Sequence, residues 1–413
     1  MRKKNMSDEI FKIGFPTEIV HEGKVKVLVP KLEAFVKSPS EYAPSKAPVF
    51  YNPIMELNRD IAVLALQAYQ RTLNREISVC EPLAGCGVRG IRFATEVEGV
   101  KKVLINDISE KAFQLASRNV RINGLNKRVI VKNEDANFLL GRYGAPRKRF
   151  DAIDVDPFGS PVPYLDSAIR ALRSGGLLAL TATDMAPLCG VHPRACIRKY
   201  GGKPLRTEYC HELAVRLLAG CLTMTAAKYD IGISIVFSHS TDHYIRIYAK
   251  IEHGAKKADE NIKSMGYILH CFKCFHRETG KKLFLVERSI KCSECSSKMN
   301  IAGPLWLGRI FEKQFCKLME EEAKQRAFKL GRRVRKILTL IENETGAPIT
   351  YYVLDKLCDA LALPVPSVRM VIKALRKEGF QASLTHFNPK GIRSNVQATE
   401  IKELLRKISS REG

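Results

Sequence analysis

The chain has 413 residues, enough for two or three domains at roughly 100–200 residues each. Lys and Arg number 68 against 43 Asp and Glu, so the formal net charge is +25 and favours a polyanionic partner such as nucleic acid. We expect no transmembrane span, because no charge-free apolar run reaches about 18 residues.

The N-terminus and the cysteines indicate a compartment. The basic start of the chain is followed by Ser7, Asp8 and Glu9 rather than by an apolar stretch, so we expect no signal peptide. The 12 cysteines, without a secretory signal, are typical of a reducing compartment, where thiols bind metals or pack. We expect a cytoplasmic protein. The sequence does not fix its oligomeric state, and a monomer is the working expectation.

Predicted elements follow a regular order up to residue 253. A strand over 24–29, a Pro/Ser-rich loop over 38–48 and a helix over 54–73 come first. Short apolar runs then alternate with helical stretches. Strands are predicted over 77–80, 103–105, 129–131, 152–155 and 177–181, helices over 87–95, 110–119, 163–173 and 207–228, and two last strands over 231–237 and 244–251. This order predicts a doubly wound α/β sheet.

The composition changes after residue 253. A Lys-rich linker is predicted over 254–264, a cysteine module over 271–295 and a long helix over 307–341. The C-terminal part then offers helices over 352–361 and 367–377, followed by a strand-like stretch up to residue 396. Two short helices before a hairpin suggest a winged-helix-type or small α/β module.

A glycine-rich loop lies between the first predicted strand and helix of the sheet. It contains Gly85, Gly87 and Gly90 in the pattern G-x-G-x-x-G. Glycines let the backbone approach a ligand closely, and a helix N-terminus favours anionic groups. Three interpretations compete: a site for NAD(P), a site for S-adenosylmethionine, and a plain tight turn.

Acidic residues at the ends of the next strands favour one interpretation. Asp107 ends the second strand and is placed to hold ribose hydroxyls, and Asp135 ends the third, where an adenine amine can donate to it. Asp154 and Asp156 end the fourth strand. Stacked carboxylates suit a pyrophosphate poorly, whereas S-adenosylmethionine has no phosphate and carries a sulfonium cation. The methyl donor is therefore the preferred ligand.

The sequence Asp156-Pro157-Phe158-Gly159 suggests the acceptor. It resembles the [D/N]-P-P-[Y/F] signature of amino-methyltransferases, in which the acid or amide holds an exocyclic amine and an aromatic ring stacks on the base. Accepting protons from an aryl amine localises its lone pair toward the methyl group, and positioning then carries much of the reaction. This chain departs from the signature, because Phe158 takes the place of the second proline and Gly159 that of the aromatic residue.

Taken together, these residues resemble the tRNA (guanine-26-N2)-dimethyltransferase family in its archaeal form, over nearly the whole chain. The resemblance is carried by several strings. They are Val49-Phe50-Tyr51-Asn52-Pro53, Asn58-Arg59-Asp60, Gly87-Val88-Arg89-Gly90-Ile91-Arg92-Phe93, Asn106-Asp107-Ile108-Ser109, Asp156-Pro157-Phe158-Gly159-Ser160-Pro161, Thr181-Ala182-Thr183-Asp184, Ala186-Pro187-Leu188-Cys189-Gly190, His192-Pro193-Arg194 and Thr385-His386-Phe387.

The resemblance implies methyl transfer from S-adenosylmethionine to N2 of guanine 26 in tRNA, twice. It implies that Arg59 and Arg89 contact the donor and that Asp107, Asp135 and Ala136 line its ribose and adenine. It also implies that Asp156 holds the guanine amine while Phe50 and Phe158 stack on the base. Such a base must leave its stack to be reached, which gives aromatic walls a physical purpose.

Four cysteines have the spacing of a zinc site. Cys271 and Cys274 form one C-x2-C pair, and Cys292 and Cys295 form another 17 residues further on. Four thiolates make a closed tetrahedral site, so the zinc is expected to be structural. Two basic clusters are candidate contacts to the tRNA backbone. They are Lys281, Lys282, Arg288, Lys291 and Lys298, and Lys329, Arg332, Arg333, Arg335 and Lys336.

We therefore predict a class I (Rossmann-like) methyltransferase domain with an N-terminal extension over 1–253, a zinc-binding module over 254–305 and a C-terminal α+β tRNA-binding domain over 306–413. Two alternatives stay open. The chain could methylate another RNA base amine, such as a neighbouring guanine or adenine N6, or it could be a non-catalytic zinc-containing RNA-binding protein.

Overall fold

The computed structural model describes residues 13–36, 44–281 and 290–412. These residues divide into two compact units. The first takes its residues from Met1–Asp156, Asp166–Ala179 and Leu318–Arg335, and the second from Pro157–Leu165, Leu180–Lys317 and Lys336–Gly413. Residues 38–43 of the predicted Pro/Ser-rich loop lie outside the described residues.

The elements up to residue 182 begin with a hairpin and continue as alternating strands and helices. They are β1 (Thr17–Glu22), β2 (Val25–Pro30), α1 (Glu56–Leu73), β3 (Ile77–Glu81), α2 (Val88–Glu96), β4 (Val100–Asn106), α3 (Glu110–Ile122), β5 (Val129–Lys132), α4 (Ala136–Tyr143), β6 (Phe150–Val155), α5 (Leu165–Arg170) and β7 (Leu172–Ala182). All the strands and helices predicted in this region are present. The strand β1 and the helix α4 are present as well, although the sequence did not predict them.

The later elements include two small sheets. They are α6 (Met185–Leu188), α7 (Pro193–Tyr200), α8 (Cys210–Ala227), β8 (Ile231–Thr241), β9 (Tyr244–His253), α9 (Ala255–Ile262), β10 (Met265–His270), β11 (Arg277–Gly280), β12 (Asn300–Trp306), α10 (Lys313–Lys324), α11 (Gly331–Glu344), β13 (Tyr352–Val353), α12 (Leu354–Leu361), α13 (Val368–Lys377), β14 (Ala382–Leu384), β15 (Gly391–Ser394) and α14 (Ala398–Glu412). The small sheets have the orders β11-β10-β12 and β13-β15-β14.

The main sheet has seven strands in the order β5-β4-β3-β6-β7-β9-β8. β3 pairs in parallel with β4 and β6, β4 pairs in parallel with β5, and β8 pairs antiparallel with β9. Strand order reverses on the two sides of β3, and ligands of such sheets bind at the carboxyl ends of the strands beside that point. The predicted fold, crossover strands followed by an adjacent strand pair, is confirmed.

Close packing of α2 on the sheet explains one glycine of the loop. A Cβ atom at Gly90 would lie 2.2 Å from Cγ2 of Ile105 on β4. Any larger residue would therefore push the helix away from the strand. The same helix begins directly after the loop, so its position fixes where the loop sits.

The predicted linker over 254–264 is wrong, because Ala255–Ile262 forms the helix α9. Ala258 is buried, and a Cβ atom at Gly232 on β8 would lie 2.6 Å from Cβ of Lys257. The helix therefore lies against the sheet. Its sequence looks like a linker because few of its side chains are apolar, although Lys, Glu and Ala are all good helix formers.

The single long helix predicted over 307–341 is also wrong. Two helices, α10 and α11, occupy this region, and β12 ends at Trp306 just before it. Arg326 lies in the break and donates hydrogen bonds to the carbonyl of Glu96 at 2.8 Å and to Oε1 of Gln67 at 3.1 Å. These long-range contacts hold the chain out of the helical path that its local sequence favours.

The helix predicted over 163–173 is shorter than expected, since α5 ends at Arg170 and β7 starts at Leu172. The first residues of β7 include Ser174, Gly175 and Gly176, which read as a turn in the sequence. The carbonyl of Gly175 accepts a hydrogen bond from the Tyr69 hydroxyl at 2.9 Å, a contact between distant residues. Tertiary structure therefore sets this strand start.

The C-terminal module contains the predicted pair of helices, α12 and α13, and the predicted hairpin strands β14 and β15. The hairpin is extended by β13, and the helix α14 was not predicted. Leu357, Val371, Leu375 and Ile401 form part of its buried core. In the described part of the chain, no helix is long and apolar enough to cross a membrane.

Candidate active site

The glycine loop occupies the carboxyl end of β3. Gly85 and Gly87 have φ angles of +53° and +78°, which L side chains rarely adopt. A Cβ atom at Gly85 would lie 3.0 Å from the carbonyl oxygen of Phe50. The backbone before α1 therefore passes directly over the loop and brings the half-buried Phe50 to this end of the sheet.

Asp107 follows β4 and is tied to the same loop. Its Oδ2 accepts a hydrogen bond from the amide of Gly85 at 2.9 Å, and its Oδ1 accepts one from Ser109 at 2.9 Å. Asn106 donates to the carbonyls of Pro82 and Glu134. The residues that follow β3, β4 and β5 are thus linked into one rigid edge, with a half-buried carboxylate at its centre.

Asp135 follows β5 and has a structural role of its own. Its Oδ1 accepts the amide hydrogen of Phe138 at 2.9 Å and so caps the N-terminus of α4. The Asp135 side chain is exposed, whereas Ala136 is buried. Ile108 and Phe138, which sequence reasoning did not single out, are 68% and 64% exposed. They place apolar surface just after β4 and β5.

Arg89 on α2 is buried and binds Asp156, which follows β6. The Nη2 atom of Arg89 donates to Oδ2 of Asp156, and its Nη1 atom donates to Oδ1 of Asn58 at 2.8 Å. Its Nε lies 3.6 Å from Glu81 and 3.7 Å from Asp154. The structure thus joins a predicted donor-binding residue to the predicted catalytic carboxylate, which is 17% exposed.

The Arg89 cluster carries excess negative charge. One guanidinium faces the carboxyl groups of Glu81, Asp154 and Asp156. Burial raises the pKa of Glu81 to about 8, and the Asp154 and Asp156 carboxylates act in the same direction against Arg89. Three carboxyl groups therefore share one guanidinium, and the raised pKa of Glu81 reflects their mutual repulsion as well as burial. A cationic ligand suits this charge.

Arg59 lies in a separate buried network. Its Nε and Nη2 donate to the two carboxylate oxygens of Glu22, both at 2.6 Å, and Nη2 also donates to the carbonyl of Asn52 at 3.1 Å. Burial alone would raise the pKa of Glu22, but the guanidiniums of Arg59 and Arg92 outweigh it and lower that pKa to about 2. Arg59 therefore anchors the segment that carries Phe50.

The acceptor motif continues in the second unit. Phe158 is 66% exposed, and Gly159 has a φ of +75°. Gly159 and Thr183 exchange two hydrogen bonds: the Gly159 amide donates to the Thr183 hydroxyl at 2.8 Å, and the Thr183 amide donates to the Gly159 carbonyl at 2.9 Å. This pairing fixes the loop that displays Phe158.

Asp184 belongs to one of the strings shared with the family, but the sequence predicted no role for it. The Tyr200 hydroxyl donates to Oδ1 of Asp184, and Lys199 lies 3.1 Å from Oδ2. Tyr200 also bonds Ser160, next to Gly159. The residues after β7 and those after Asp156 are therefore held in one polar network. No local pattern indicates this network, because Asp184 and Tyr200 are 16 residues apart in the sequence.

The four cysteines of the module come together as predicted. The Sγ atoms of Cys271 and Cys295 are 3.5 Å apart, as are those of Cys274 and Cys292, and all four lie within 4.8 Å of one another. A tetrahedral Zn–S₄ site has S–S separations of about 3.8 Å. Phe275 and Ser296 follow the second cysteine of each pair with φ of +64° and +59°.

These two turns match each other in hydrogen bonding. The amide of Phe275 donates to the carbonyl of Cys271 at 2.8 Å, and that of Ser296 donates to Cys292 at 2.9 Å. Hydrogen bonding by Ser297 lowers the pKa of Cys295, whereas burial raises those of Cys274 and Cys292. The arrangement therefore fits zinc. Of the first basic cluster, Lys281, Lys291 and Lys298 are exposed, while Lys282 and Arg288 lie outside the described residues.

The sheet order, the glycine loop and the strand-end carboxylates define a class I methyltransferase fold. One further observation fits a ligand at this edge. Asn58 is fully buried, and its Nδ2 donor has no hydrogen-bond acceptor among the described residues. A buried donor of this kind is unfavourable unless a ligand or water accepts from it.

A family model described as N2,N2-dimethylguanosine tRNA methyltransferase matches residues 23–406, and the chain belongs to this family. A relative from Methanobrevibacter smithii, named tRNA (guanine(26)-N(2))-dimethyltransferase, is 42% identical over 96% of this chain and 99% of its own. A relative from Aquifex aeolicus, named tRNA (guanine(26)-N(2)/guanine(27)-N(2))-dimethyltransferase, is 37% identical over 95% and 96%.

A solved structure is also similar over nearly the whole chain. It is described as a complex of Trm1 from Pyrococcus horikoshii with S-adenosyl-L-methionine. Its TM-score is 0.82 at 36% sequence identity, and the match covers 94% of this chain and 99% of that one. The family resemblance inferred from the sequence strings is therefore confirmed.

Proposed function

We propose that this chain transfers methyl groups from S-adenosylmethionine to the exocyclic N2 of guanine 26 in tRNA, giving N2-methylguanosine and then N2,N2-dimethylguanosine. The observation that carries the proposal is the Arg89–Asp156 pair. It places an oriented carboxylate at the strand-end edge that also carries the glycine loop and Asp107. Family membership supplies the substrate class.

The donor site is assigned to the first unit. We assign Asp107 to accept from the ribose hydroxyls, and Asp135, whose Oδ1 caps α4, to accept from the adenine amine beside Ala136. Arg89 acts through the charge and orientation of Asp156, and Arg59 through the segment that carries Phe50. When bound, S-adenosylmethionine supplies an electrophilic methyl group on a sulfonium cation, which the negative Arg89 cluster favours.

We assign to Asp156 the binding of the exocyclic amine of guanine. The hydrogen bond from Arg89 orients this carboxylate, which is to accept the amine N–H. A hydrogen bond to this carboxylate draws the N–H proton and localises the nitrogen lone pair toward the methyl group. Each transfer leaves a proton on N2 to be lost, and we assign its acceptance to the same carboxylate. Phe50 and Phe158 supply stacking surfaces for the flipped base.

We assign three regions: residues 1–253 to catalysis, 254–305 to zinc binding and 306–413 to tRNA binding. The zinc at Cys271, Cys274, Cys292 and Cys295 is structural, because four thiolates leave no open position. The zinc module and the C-terminal module are bonded together in the second unit. Lys402 donates to the carbonyl of Cys274 at 2.6 Å, and Arg277 donates to that of Tyr351 at 2.8 Å.

A basic groove in the C-terminal module supports the assignment to tRNA binding. It has a volume of about 510 Å³, and Arg369, Lys373 and Arg376 of α13 line it beside the apolar Leu340 and Ile372. Arg369 and Lys373 are exposed. Such cations bind phosphates and release counterions, so binding through them weakens with salt. We expect the protein to act as a monomer in the cytoplasm.

Neighbouring guanine 27 is a second candidate acceptor, favoured by one observation: the name of the Aquifex aeolicus relative includes it. Methylation of adenine N6 and a purely RNA-binding role are the remaining alternatives. The experiment that separates them uses labelled S-adenosylmethionine with unmodified tRNA transcripts carrying guanine or adenine at 26 and guanine or adenine at 27, followed by nucleoside mass spectrometry.

We expect N2-methyl- and N2,N2-dimethylguanosine from every transcript with guanine 26 and none from those with adenine 26. Label that follows guanine 27 instead, or methylated adenosine, would keep the reaction class and overturn the position. Binding of donor and tRNA without any label would support the RNA-binding alternative.

A further inference from the structure

A second group of metal-ligating side chains lies in the second unit, apart from the four cysteines described above. It consists of Cys189, directly after α6, and of Cys210 and His211 at the start of α8. One potential ligand atom from each residue lies within 4.8 Å of the other two, and all three residues are half-buried. The two thiols are hydrogen-bonded to each other.

The imidazole of His211 has a partner that prepares it for a metal. It is hydrogen-bonded to the backbone of Phe387. Histidines that bind metals usually donate their other ring N–H to a carbonyl or carboxylate, which fixes the tautomer and directs the second nitrogen's lone pair toward the ion. A tautomer with its proton toward Phe387 leaves one nitrogen as a ligand.

We propose that Cys189, Cys210 and His211 form a second zinc site. Two thiolates and one neutral imidazole are a donor set that zinc prefers, and three protein ligands leave the fourth tetrahedral position to water. Binding to two thiols displaces two protons to solvent and leaves the thiolate charges to balance that of Zn²⁺. The site differs from the four-cysteine cluster because it is open at one position.

Zinc at this site joins three parts of the second unit. Cys189 belongs to the segment after β7, and Cys210 and His211 begin α8. His211 contacts Phe387 between β14 and β15. Thr183, six residues before Cys189, exchanges hydrogen bonds with Gly159 of the acceptor motif. The ion therefore restrains the segment against which the Phe158 loop is fixed.

Metal content tests the proposal directly. The full chain is purified under reducing conditions, loaded with zinc, freed of unbound metal by gel filtration, and analysed by elemental mass spectrometry. We expect two zinc ions per chain for the unchanged protein and for Cys196→Ser, a neighbouring cysteine outside the group. Cys210→Ser should hold one. His211→Gln should also hold one, and it decides the question if the serine variant does not fold.

Cobalt(II) substitution provides a second readout. Six thiolates bind metal if both sites are filled and four if only one is, so Cys210→Ser and Cys189→Ser together should remove about one third of the thiolate-to-cobalt charge-transfer intensity. One zinc in the unchanged protein, or two in both the Cys210 and His211 variants, would overturn the proposal. So would a Cys189–Cys210 disulfide that, once reduced, yields no second zinc.

Discussion

Replacing Asp156 by Asn tests the role of its carboxylate with little change in shape. The amide oxygen of an Asn can still accept from Nη2 of Arg89, whose other contacts to Asn58 and Asp154 remain. In that orientation the amide NH₂ takes the place of Oδ1 of the carboxylate. A donor then faces a donor where the carboxylate accepted a hydrogen bond.

The expected loss follows from these two effects. A hydrogen bond to a charged group contributes roughly 1.5–3 kcal/mol, and an unsatisfied buried donor costs roughly 1–3 kcal/mol. Together they raise the barrier by about 2.5–6 kcal/mol, which lowers the rate by roughly two to four orders of magnitude. We assign donor binding to the glycine loop and Asp107, so the affinity for the donor should change by less than about fivefold.

The assay is single-turnover methyl transfer at saturating donor and tRNA, with donor binding measured separately by calorimetry. Asp259→Asn, on the exposed face of α9, is the matched control and should retain the full rate. An Asp156→Asn rate within tenfold of the unchanged protein would refute the reasoning. So would a donor affinity that falls by much more than fivefold in the calorimetry.

Three further results are expected. Phe158→Ala should lower the methylation rate about tenfold to one hundredfold, because stacking contributes roughly 1–3 kcal/mol per base. The urea midpoint of the variant should be nearly unchanged, since the ring is 66% exposed. Equal methylation rates would show that the ring does not touch the base. The folded-state pKa of Glu81 is raised to about 8 from 4.5, so the contribution of Glu81 to stability is present below about pH 4.5 and is lost as the pH rises through 8. Urea unfolding should therefore show the unchanged protein losing stability relative to Glu81→Gln between these pH values, by at most about 1.4 kcal/mol per pH unit. A difference between the two proteins that stays constant with pH would contradict this. Arg369→Ala with Lys373→Ala should weaken tRNA binding and reduce the log–log salt slope by about 2, and an unchanged slope would remove the groove from the interface.

Local sequence signals were sufficient for the sheet and for the cluster of four cysteines. Apolar runs of strand length, the glycines of the loop and the two C-x2-C pairs are all contiguous patterns, and each reappears in the structure, although β7 and β8 extend beyond their predicted bounds. The acids after β4, β5 and β6 were placed correctly because parallel strands end at one edge. Topology follows from such patterns.

The partners of individual side chains could not be predicted in the same way. Arg59 binds Glu22, 37 residues away, and Arg89 binds Asp156, 67 residues away, so neither pairing leaves a local signal. Asp135 shows a different difficulty, since an Asp before a helix serves equally as a cap and as a ligand. The break after α10 likewise depends on contacts of Arg326 to Glu96 and Gln67.

The central claim is that the acceptor atom is the exocyclic nitrogen of guanine 26, and inosine tests it most directly. Inosine is guanosine without the 2-amino group, so a tRNA with inosine 26 keeps the shape and phosphate contacts of the substrate. We predict that it competes with the guanine-26 transcript for binding and accepts no methyl group. Methyl transfer to inosine 26 at a rate comparable to that for guanine 26 would contradict the account.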